Sequence, residues 1–121
     1  MTTVETTVNI IINPEEQSLE ELEAQIGQAL QRAGQQLLTQ ACQQMEDQLL
    51  QTRADLRRTK RRGLHLLTRF GWVRLERWQV SNTESRYRYA LDSLLELEPR
   101  QHASPWIIKQ SVALATRLPY R

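Results

Sequence analysis

The sequence contains a single cysteine, Cys42, among its 121 residues. One cysteine excludes an internal disulfide framework and is typical of a protein kept in a reducing compartment. No apolar run is long enough to span a membrane, and the N-terminal MTTVETTVN lacks the basic start and apolar stretch of a secretion signal. These absences predict a cytoplasmic protein with no membrane partner.

The sequence also lacks the residue spacings typical of catalytic and metal sites. Cys42, His65 and His102 lie far apart, and no CxxC or HxxxH pair occurs, so we predict no metal site. Glycine-rich phosphate loops and nucleophile elbows are absent as well. We therefore predict no catalytic residues, no cofactor and no small-molecule substrate.

Acidic residues are scarce in the second part of the chain. Residues 1–52 hold eight acids and one base, a net charge of −7, whereas residues 53–121 hold six acids and fifteen bases, a net charge of +9. The bases are densest at residues 53–80, where nine Lys or Arg accompany two acids. This asymmetry indicates a polyanionic partner for the second part of the chain.

The first part of the chain predicts a β-branched, extended segment at residues 1–17 and a long helix at residues 18–62. Ser18 and Glu21 have the spacing of a capping box, which opens the helix. Apolar residues then recur at steps of three or four, as in one stripe of a helix. The stripe consists of Leu19, Leu22, Ile26, Leu30, Ala33, Leu37, Ala41, Met45 and Leu49. Gly34 leaves open whether the helix is continuous or broken into a helical hairpin.

The apolar stripe of this long helix is longer than the small second half of the chain can cover. We therefore expect a partner helix from a second copy, in a coiled-coil homodimer. The expected dimer interface consists of Leu22, Ile26, Leu30, Leu37 and Met45. The alternative is that the stripe packs entirely within its own chain.

Residues 63–121 predict a β-meander and a closing helix. Leu64, Leu66 and Thr68 alternate with outward residues, Phe70-Gly71 has the composition of a turn, and alternation resumes from Trp72 to Trp78. A third strand is expected at residues 86–89, followed by a short helix or turn at residues 90–97. Ser104-Pro105 is a helix start, and this last helix is expected to bury Trp106, Ile108, Val112 and Ala115. The predicted fold class is α+β: a long N-terminal helix, a small three-stranded antiparallel β-meander and a C-terminal helix.

The dense bases predict contacts to the phosphates of duplex DNA, where each Lys or Arg releases condensed counterions. The candidate nucleic-acid-binding residues are Arg57, Arg58, Lys60, Arg61, Arg62, Arg69, Arg74 and Arg77. The alternative is a solvated helix end followed by a charged strand face. Four aromatic residues nearby either stack on unpaired bases or, more economically, form cross-strand pairs that cover the sheet. These aromatic residues are Trp72, Trp78, Tyr87 and Tyr89.

Short motifs follow one another between residues 60 and 121. They are a basic lead-in, a T-x-FG-x-V turn at Thr68, Phe70, Gly71 and Val73, Arg77 in the returning strand, Tyr89 before Leu91-Asp92, Ser104-Pro105 and the final Tyr120-Arg121. In order and spacing they resemble the amino-terminal region of bacterial insertion-sequence transposases of the DDE type. Two positions depart from that pattern: Glu96 stands where glycine is common, and Leu118-Pro119 stands where the helix usually continues smoothly.

The resemblance implies the DNA-binding and dimer-forming front end of a transposase, with insertion-sequence ends as the duplex partner. In such transposases this region precedes a helix-turn-helix and an RNase H-like domain whose acidic triad binds divalent metal. The acidic triad domain has no counterpart in this sequence, so we expect a truncated transposase fragment that is not an enzyme on its own. The competing hypothesis is a structural or protein–protein interaction module that dimerises through the long helix.

Overall fold

The computed structural model describes residues 3, 5–15, 18–82 and 88–117. Its elements are α1 (Leu19–Thr52), β1 (Arg57–Thr68), β2 (Gly71–Ser81), β3 (Arg88–Tyr89), α2 (Ala90–Leu94) and α3 (Pro105–Arg117). The strands form one antiparallel sheet in the order β1-β2-β3. The predicted α+β architecture is therefore confirmed.

Helix α1 is continuous over 34 residues, so it does not break near Gly34. It starts as predicted, because the Ser18 side chain accepts a hydrogen bond from the backbone N–H of Glu21 at 3.2 Å. The predicted end at residue 62 is wrong, since residues 57–62 are the first half of β1. These residues pair with the end of β2, and such long-range pairing overrides a local helical pattern.

The buried face of α1 is rotated one residue from the predicted apolar stripe. It follows a four-residue spacing through Gly34, Leu38, Cys42, Glu46 and Leu50, of which Leu38 is only partly buried. Two of these residues are glycine and glutamate, so hydropathy alone does not reveal the face. Cys42 is buried in the core, as predicted.

Helix α1 runs alongside β2 and contacts both faces of that strand. Cys42 packs with Val73 and Leu75 on one face, and Leu50 packs with Val80 on the other. Between them the buried Glu46 carboxylate accepts a hydrogen bond from the backbone N–H of Trp78 at 3.0 Å. Glu46 thus satisfies a backbone donor of β2 that has no strand partner among the described residues, where β3 pairs with Gln79 and Val80.

The hairpin joining β1 to β2 turns at Arg69 and Phe70, near the predicted position. Thr68 closes it: its hydroxyl donates to the Gly71 carbonyl at 2.9 Å and accepts from the Phe70 N–H at 3.1 Å. Gly71 has φ +94°, a conformation that glycine adopts without steric cost. The predicted alternation is confirmed, because Leu64, Leu66, Val73 and Leu75 are all buried on one face.

The last helix begins where predicted but does not bury its apolar residues. The Ser104 hydroxyl accepts from the backbone N–H of Ile107 at 3.3 Å, an N-terminal cap. Trp106, Ile108 and Val112 are exposed, Val112 by 59%, and Ala115 is exposed as well. The prediction that they face inward is wrong, because α3 is held to the sheet mainly through the segment before it, where Leu67 exchanges backbone hydrogen bonds with residues 102 and 104.

Some predicted features lie outside the described residues. The third strand, expected at residues 86–89, is described only in part, because residues 83–87 are not included. The end of the last helix at Leu118-Pro119 and the final Tyr120-Arg121 also lie outside. Residues 5–14 form neither helix nor strand, and the side-chain amide of Gln44 donates to the Glu5 carbonyl at 3.0 Å. Among the described helices, none has the length and apolar character needed to cross a lipid bilayer.

Candidate nucleic-acid interface

Five of the eight predicted phosphate-binding residues lie together on the first half of β1, residues 57–62. We call this segment the basic strand. Its cations are Arg57, Arg58, Lys60, Arg61 and Arg62, and all five are exposed. β1 is the outer strand of the sheet, so the basic strand forms a cationic ridge along one side of the molecule.

A β-bulge at Thr59 distributes these cations over both faces of the ridge. The strand register shifts between Arg58 and Lys60, and the Thr59 hydroxyl donates to the Gln79 carbonyl at 3.0 Å. Arg58 and Arg61 consequently share the face of Trp78, while the other three cations share the opposite face. Bulges commonly re-aim side chains in this way, and here the result is a ridge that is cationic from either side.

The Trp78 ring orders two of the arginines. The guanidinium carbons of Arg58 and Arg61 lie 5.5 and 5.3 Å from the ring centroid, within the range of cation–π attraction. Arg61 also donates to the side-chain oxygen of Gln43 on α1 at 3.0 Å. Both of these contact partners, Trp78 and Gln43, are uncharged, so neither contact neutralises the positive charge of the guanidinium groups.

The ridge has no carboxylate partner in the part of the chain that the structure describes. Ion pairs there join Arg53 to Asp55, Arg74 to Glu76 and Arg77 to Asp92. The hydrogen bond from Arg53 lowers the pKa of Asp55 to about 2. None of these three pairs involves a residue of the basic strand. None of them joins a base of residues 53–80 to an acid of residues 1–52.

Glu46 on α1 interacts electrostatically with Arg61 and Arg58 of the ridge. Its pKa is raised by burial, and the hydrogen bond from Trp78 and the charge of Arg61 oppose that rise less strongly. One of its oxygens is bound by the Trp78 N–H, and the other is buried without a partner among the described atoms. Glu46 therefore acts as an internal cap of β2 and not as a surface counterion.

The remaining predicted cations are engaged elsewhere. Arg77 is only 14% exposed, bound to Asp92 at 2.6 Å and stacked on the Tyr89 ring at 3.8 Å. Arg74 pairs with Glu76 at 2.9 Å, and Arg69 lies 4.9 Å from the Trp106 ring. We keep Arg69 and Arg74 as peripheral surface cations and drop Arg77 from the proposed surface, because its charge is neutralised inside the fold.

The predicted dimer residues differ in exposure. Ile26, Leu30 and Leu37 are exposed, Leu30 by 58%, whereas Leu22 and Met45 are half-buried. The exposed residues lie beside the buried face of α1 and extend along its first half. Leu37 also lies beside the N-terminal residues 5–7, which line a shallow cavity with it.

The aromatic residues predicted to cover the sheet do so only in part. Trp78 packs against the cluster of Leu50, Val80 and Ala90. Trp72 is 62% exposed, so its assignment to the core is wrong: it lies at the tip of the hairpin, on the face opposite Val73 and Leu75. Tyr87 lies outside the described residues.

A second basic feature was not predicted. A groove of about 710 Å³ lies between the sheet, α2 and the loop that follows α2. Its charged lining residues are Arg62, Arg77, Arg88, Arg100, Asp92 and Glu98, with Tyr89 and His102 beside them. We call it the arginine groove. Arg88 and Arg100 are isolated in the sequence, and no spacing rule links them to Arg62, so only the fold could reveal the cluster.

No group of three His, Cys, Asp or Glu side chains is placed to hold a metal ion in the described ranges.

The comparisons with known proteins gave one finding. The model of an uncharacterised protein family, UPF0236, matches residues 13–121. No curated protein and no solved structure matches the chain.

Proposed function

We propose that this chain, which belongs to the UPF0236 family, binds duplex DNA through the basic strand. The observation that carries the proposal is the presence of five exposed cations within six residues, without a carboxylate partner among the described residues. Structural charge networks normally pair such residues. A protein that leaves them unpaired on one ridge has an electrostatic footprint for a polyanion.

The ridge suits a phosphate backbone better than base edges. Phosphate contacts from Lys and Arg position a protein on DNA without reading sequence. The cations lie on both faces of an outer strand, so the ridge can approach one strand of the duplex and reach phosphates on either side. Binding through this surface is therefore expected to depend steeply on salt and weakly on sequence.

We further propose that the chain is the DNA-binding front end of a transposase and works in the cytoplasm on the ends of an insertion sequence. The support is the resemblance of residues 60–121, together with a hairpin turn at Arg69-Phe70 just before Gly71 and a helix that starts at Pro105. In this proposal the chain carries out no chemistry. The alternative function is a dimerising interaction module, favoured by the exposed Ile26, Leu30 and Leu37 on α1.

A salt titration of duplex binding tests the proposal. With about five phosphates neutralised, the log of the binding constant should fall against log salt with a slope of about −4.5. Changing Arg57→Gln together with Lys60→Gln should reduce the slope to about −2.7. The matched control is Arg32→Gln with Lys109→Gln, which removes the same charge from exposed positions outside the ridge.

The control should keep the wild-type slope to within one. Absence of duplex binding, a flat salt response, or an equal change in both double variants would contradict the proposal. Circular dichroism melting of each variant shows that the fold is retained.

A further inference from the structure

The arginine groove adjoins the basic strand on one face of the sheet. Arg62 belongs to both, because it is the last cation of the ridge and also lines the groove. It lies opposite Arg77 in the register of β1 and β2. A polyanion lying along the ridge on this face therefore reaches the groove without leaving cationic surface.

The groove has a neutral floor. Arg77 and Asp92 are both largely buried and joined at 2.6 Å, so their charges cancel. The Tyr89 ring packs against the Arg77 guanidinium at 3.8 Å, which holds this pair in one position. Among the lining residues that the structure describes, the net charge of the groove therefore comes from Arg62, Arg88 and Arg100, opposed by the carboxylate of Glu98.

The loop that supplies the second wall is held in an unfavourable conformation. Arg100 has φ +64°, a left-handed backbone that is uncommon for residues other than glycine. The turn around it is closed by the Gln101 N–H, which donates to the Glu98 carbonyl at 3.2 Å, and by the Gln101 side chain, which accepts from the Glu98 N–H at 3.0 Å. Such strain is often stored at binding sites, and here it puts a third arginine in the groove lining.

The dimensions of the groove limit what it can accept. A volume of 710 Å³ equals that of a cube about 9 Å on a side, which is narrower than a B-DNA duplex, whose major groove alone is about 12 Å wide. A duplex cannot enter such a space, but a single strand can. Sites for unpaired strands are commonly cationic grooves that follow the backbone.

We propose that the arginine groove binds the phosphodiester backbone of an unpaired nucleic-acid strand that continues from a duplex held on the basic strand. This inference rests on the proposed function, because it needs the duplex to lie along the ridge that Arg62 shares. The Tyr89 ring is already stacked on Arg77, so recognition comes from charge and is independent of base sequence.

Fluorescence anisotropy with two probes tests this inference. One probe is a short blunt duplex, and the other is the same duplex extended at one end by a few unpaired nucleotides. Arg88→Gln with Arg100→Gln should weaken binding of the extended probe about tenfold, while binding of the blunt probe stays within about twofold. Arg32→Gln with Lys109→Gln is the charge-matched control and should leave the ratio of the two affinities unchanged.

Glu98→Gln supplies a gain-of-affinity test that damage to the fold cannot imitate. Glu98 uses only its backbone in the turn, and removal of its charge should tighten binding of the extended probe about twofold to threefold. Equal loss for both probes in the arginine variant, or no loss for either, would overturn the groove assignment while leaving the ridge proposal standing. If the wild type binds only the extended probe, and the arginine variant loses that binding, the groove holds an unpaired strand without a duplex on the ridge, which overturns both the ridge proposal and the arrangement proposed for the groove. If the wild type binds neither probe, both the ridge proposal and the groove assignment are wrong.

Discussion

Glu46 occupies a position that would suit a hydrophobic side chain, between Cys42 and Leu50 on the buried face of α1. Its carboxylate serves β2 beyond the described pairs with β3: these pairs involve Gln79 and Val80, and Glu46 accepts from the backbone N–H of the preceding Trp78 at 3.0 Å. The cost is a buried charge. Burial, and to a smaller degree the Glu46 charge, also raises the pKa of the Cys42 thiol, which lowers its thiolate fraction and its reactivity.

The buried carboxyl predicts a pH-dependent stability. Because burial raises the pKa of Glu46 above its ordinary value of 4.5 in the folded chain, the unfolded chain releases this proton first as pH rises, and the folded state loses stability up to the folded-state pKa. Glu46→Gln keeps an oxygen for the Trp78 N–H but cannot ionise. The free energy of unfolding of the variant, minus that of the wild type, should therefore increase as pH rises from about 4.

Urea unfolding of both proteins at several pH values measures this difference. Titrating groups that do not interact with Glu46 contribute equally to the two proteins and cancel. A difference that stays constant, or that shrinks toward neutral pH, would show that Glu46 is not stabilised in its protonated form by burial.

Glu96 lies at a backbone position that favours glycine, with φ +55°. The backbone N–H of Leu97 donates to the Asp92 carbonyl and that of Glu96 to the Ser93 carbonyl. This is the hydrogen-bond pattern of a Schellman motif, whose left-handed position glycine fills most easily. The conformation of Glu96 is therefore explained by the end of α2.

At the scale of the element, two glycines of α1 have opposite roles. A Cβ atom on Gly34 would lie 2.4 Å from the Phe70 ring, too close for any real contact, whereas a Cβ on Gly27 would meet nothing within 4 Å. The side chain of Gln35 also donates to the Phe70 carbonyl at 2.8 Å. Gly34 therefore lets α1 approach the hairpin tip closely, and Gly27 only weakens the helix.

This contrast predicts opposite effects of the same substitution. Gly34→Ala should destabilise the protein by about 1–3 kcal/mol, because the methyl group displaces the Phe70 ring. Gly27→Ala should stabilise it by about 1 kcal/mol through helix propensity. Thermal unfolding of the two variants measures both, and each serves as the control for the other. A stabilising Gly34→Ala would contradict the close contact between α1 and the hairpin.

The elements that local sequence dictates were predictable, and those set by distant contacts were not. Ser18 and Ser104 fix two helix starts, and Gly71 fixes the hairpin, because caps and turns need particular residues. The end of α1 was misplaced since pairing with β2 decides the conformation of residues 57–62. Of the candidate site, the density of cations was visible in the sequence. Their division into a ridge, a buried Arg77 and a groove depends on strand register and on the α2 loop.

At the scale of the whole molecule, the N-terminal part of α1 extends beyond the sheet and α2, against which the rest of the helix packs. Residues 19–32 include the exposed Ile26 and Leu30, whereas the buried residues of α1 begin at Ala33. An exposed apolar row on a long helix suits a second copy of the same helix. The ridge lies against the opposite end of α1, near Gln43 and Glu46, so pairing through the first half would leave the basic strands of both copies accessible.

A light-scattering experiment tests this arrangement. Ile26→Gln with Leu30→Gln should convert a dimer into a monomer, because it removes apolar area from the centre of the exposed row. The matched control, Glu20→Gln with Ala24→Gln, alters exposed positions on the same half of α1 and should remain dimeric. Arg57→Gln with Lys60→Gln should also remain dimeric while losing DNA affinity. A wild-type monomer across a wide concentration range would rule out the dimer.

The outer edge of β1 is covered only near its end, where Leu67 exchanges hydrogen bonds of 2.8 Å with His102 and Ser104. Alongside residues 57–62, no further strand is present in the described part of the chain. An uncovered edge is a template for intermolecular sheet growth, and natural proteins protect such edges with Lys and Arg. The exposed cations of the basic strand therefore also protect this edge of the sheet by mutual repulsion between molecules. Concentrated salt screens that repulsion, so we expect the edge to be less protected at high ionic strength.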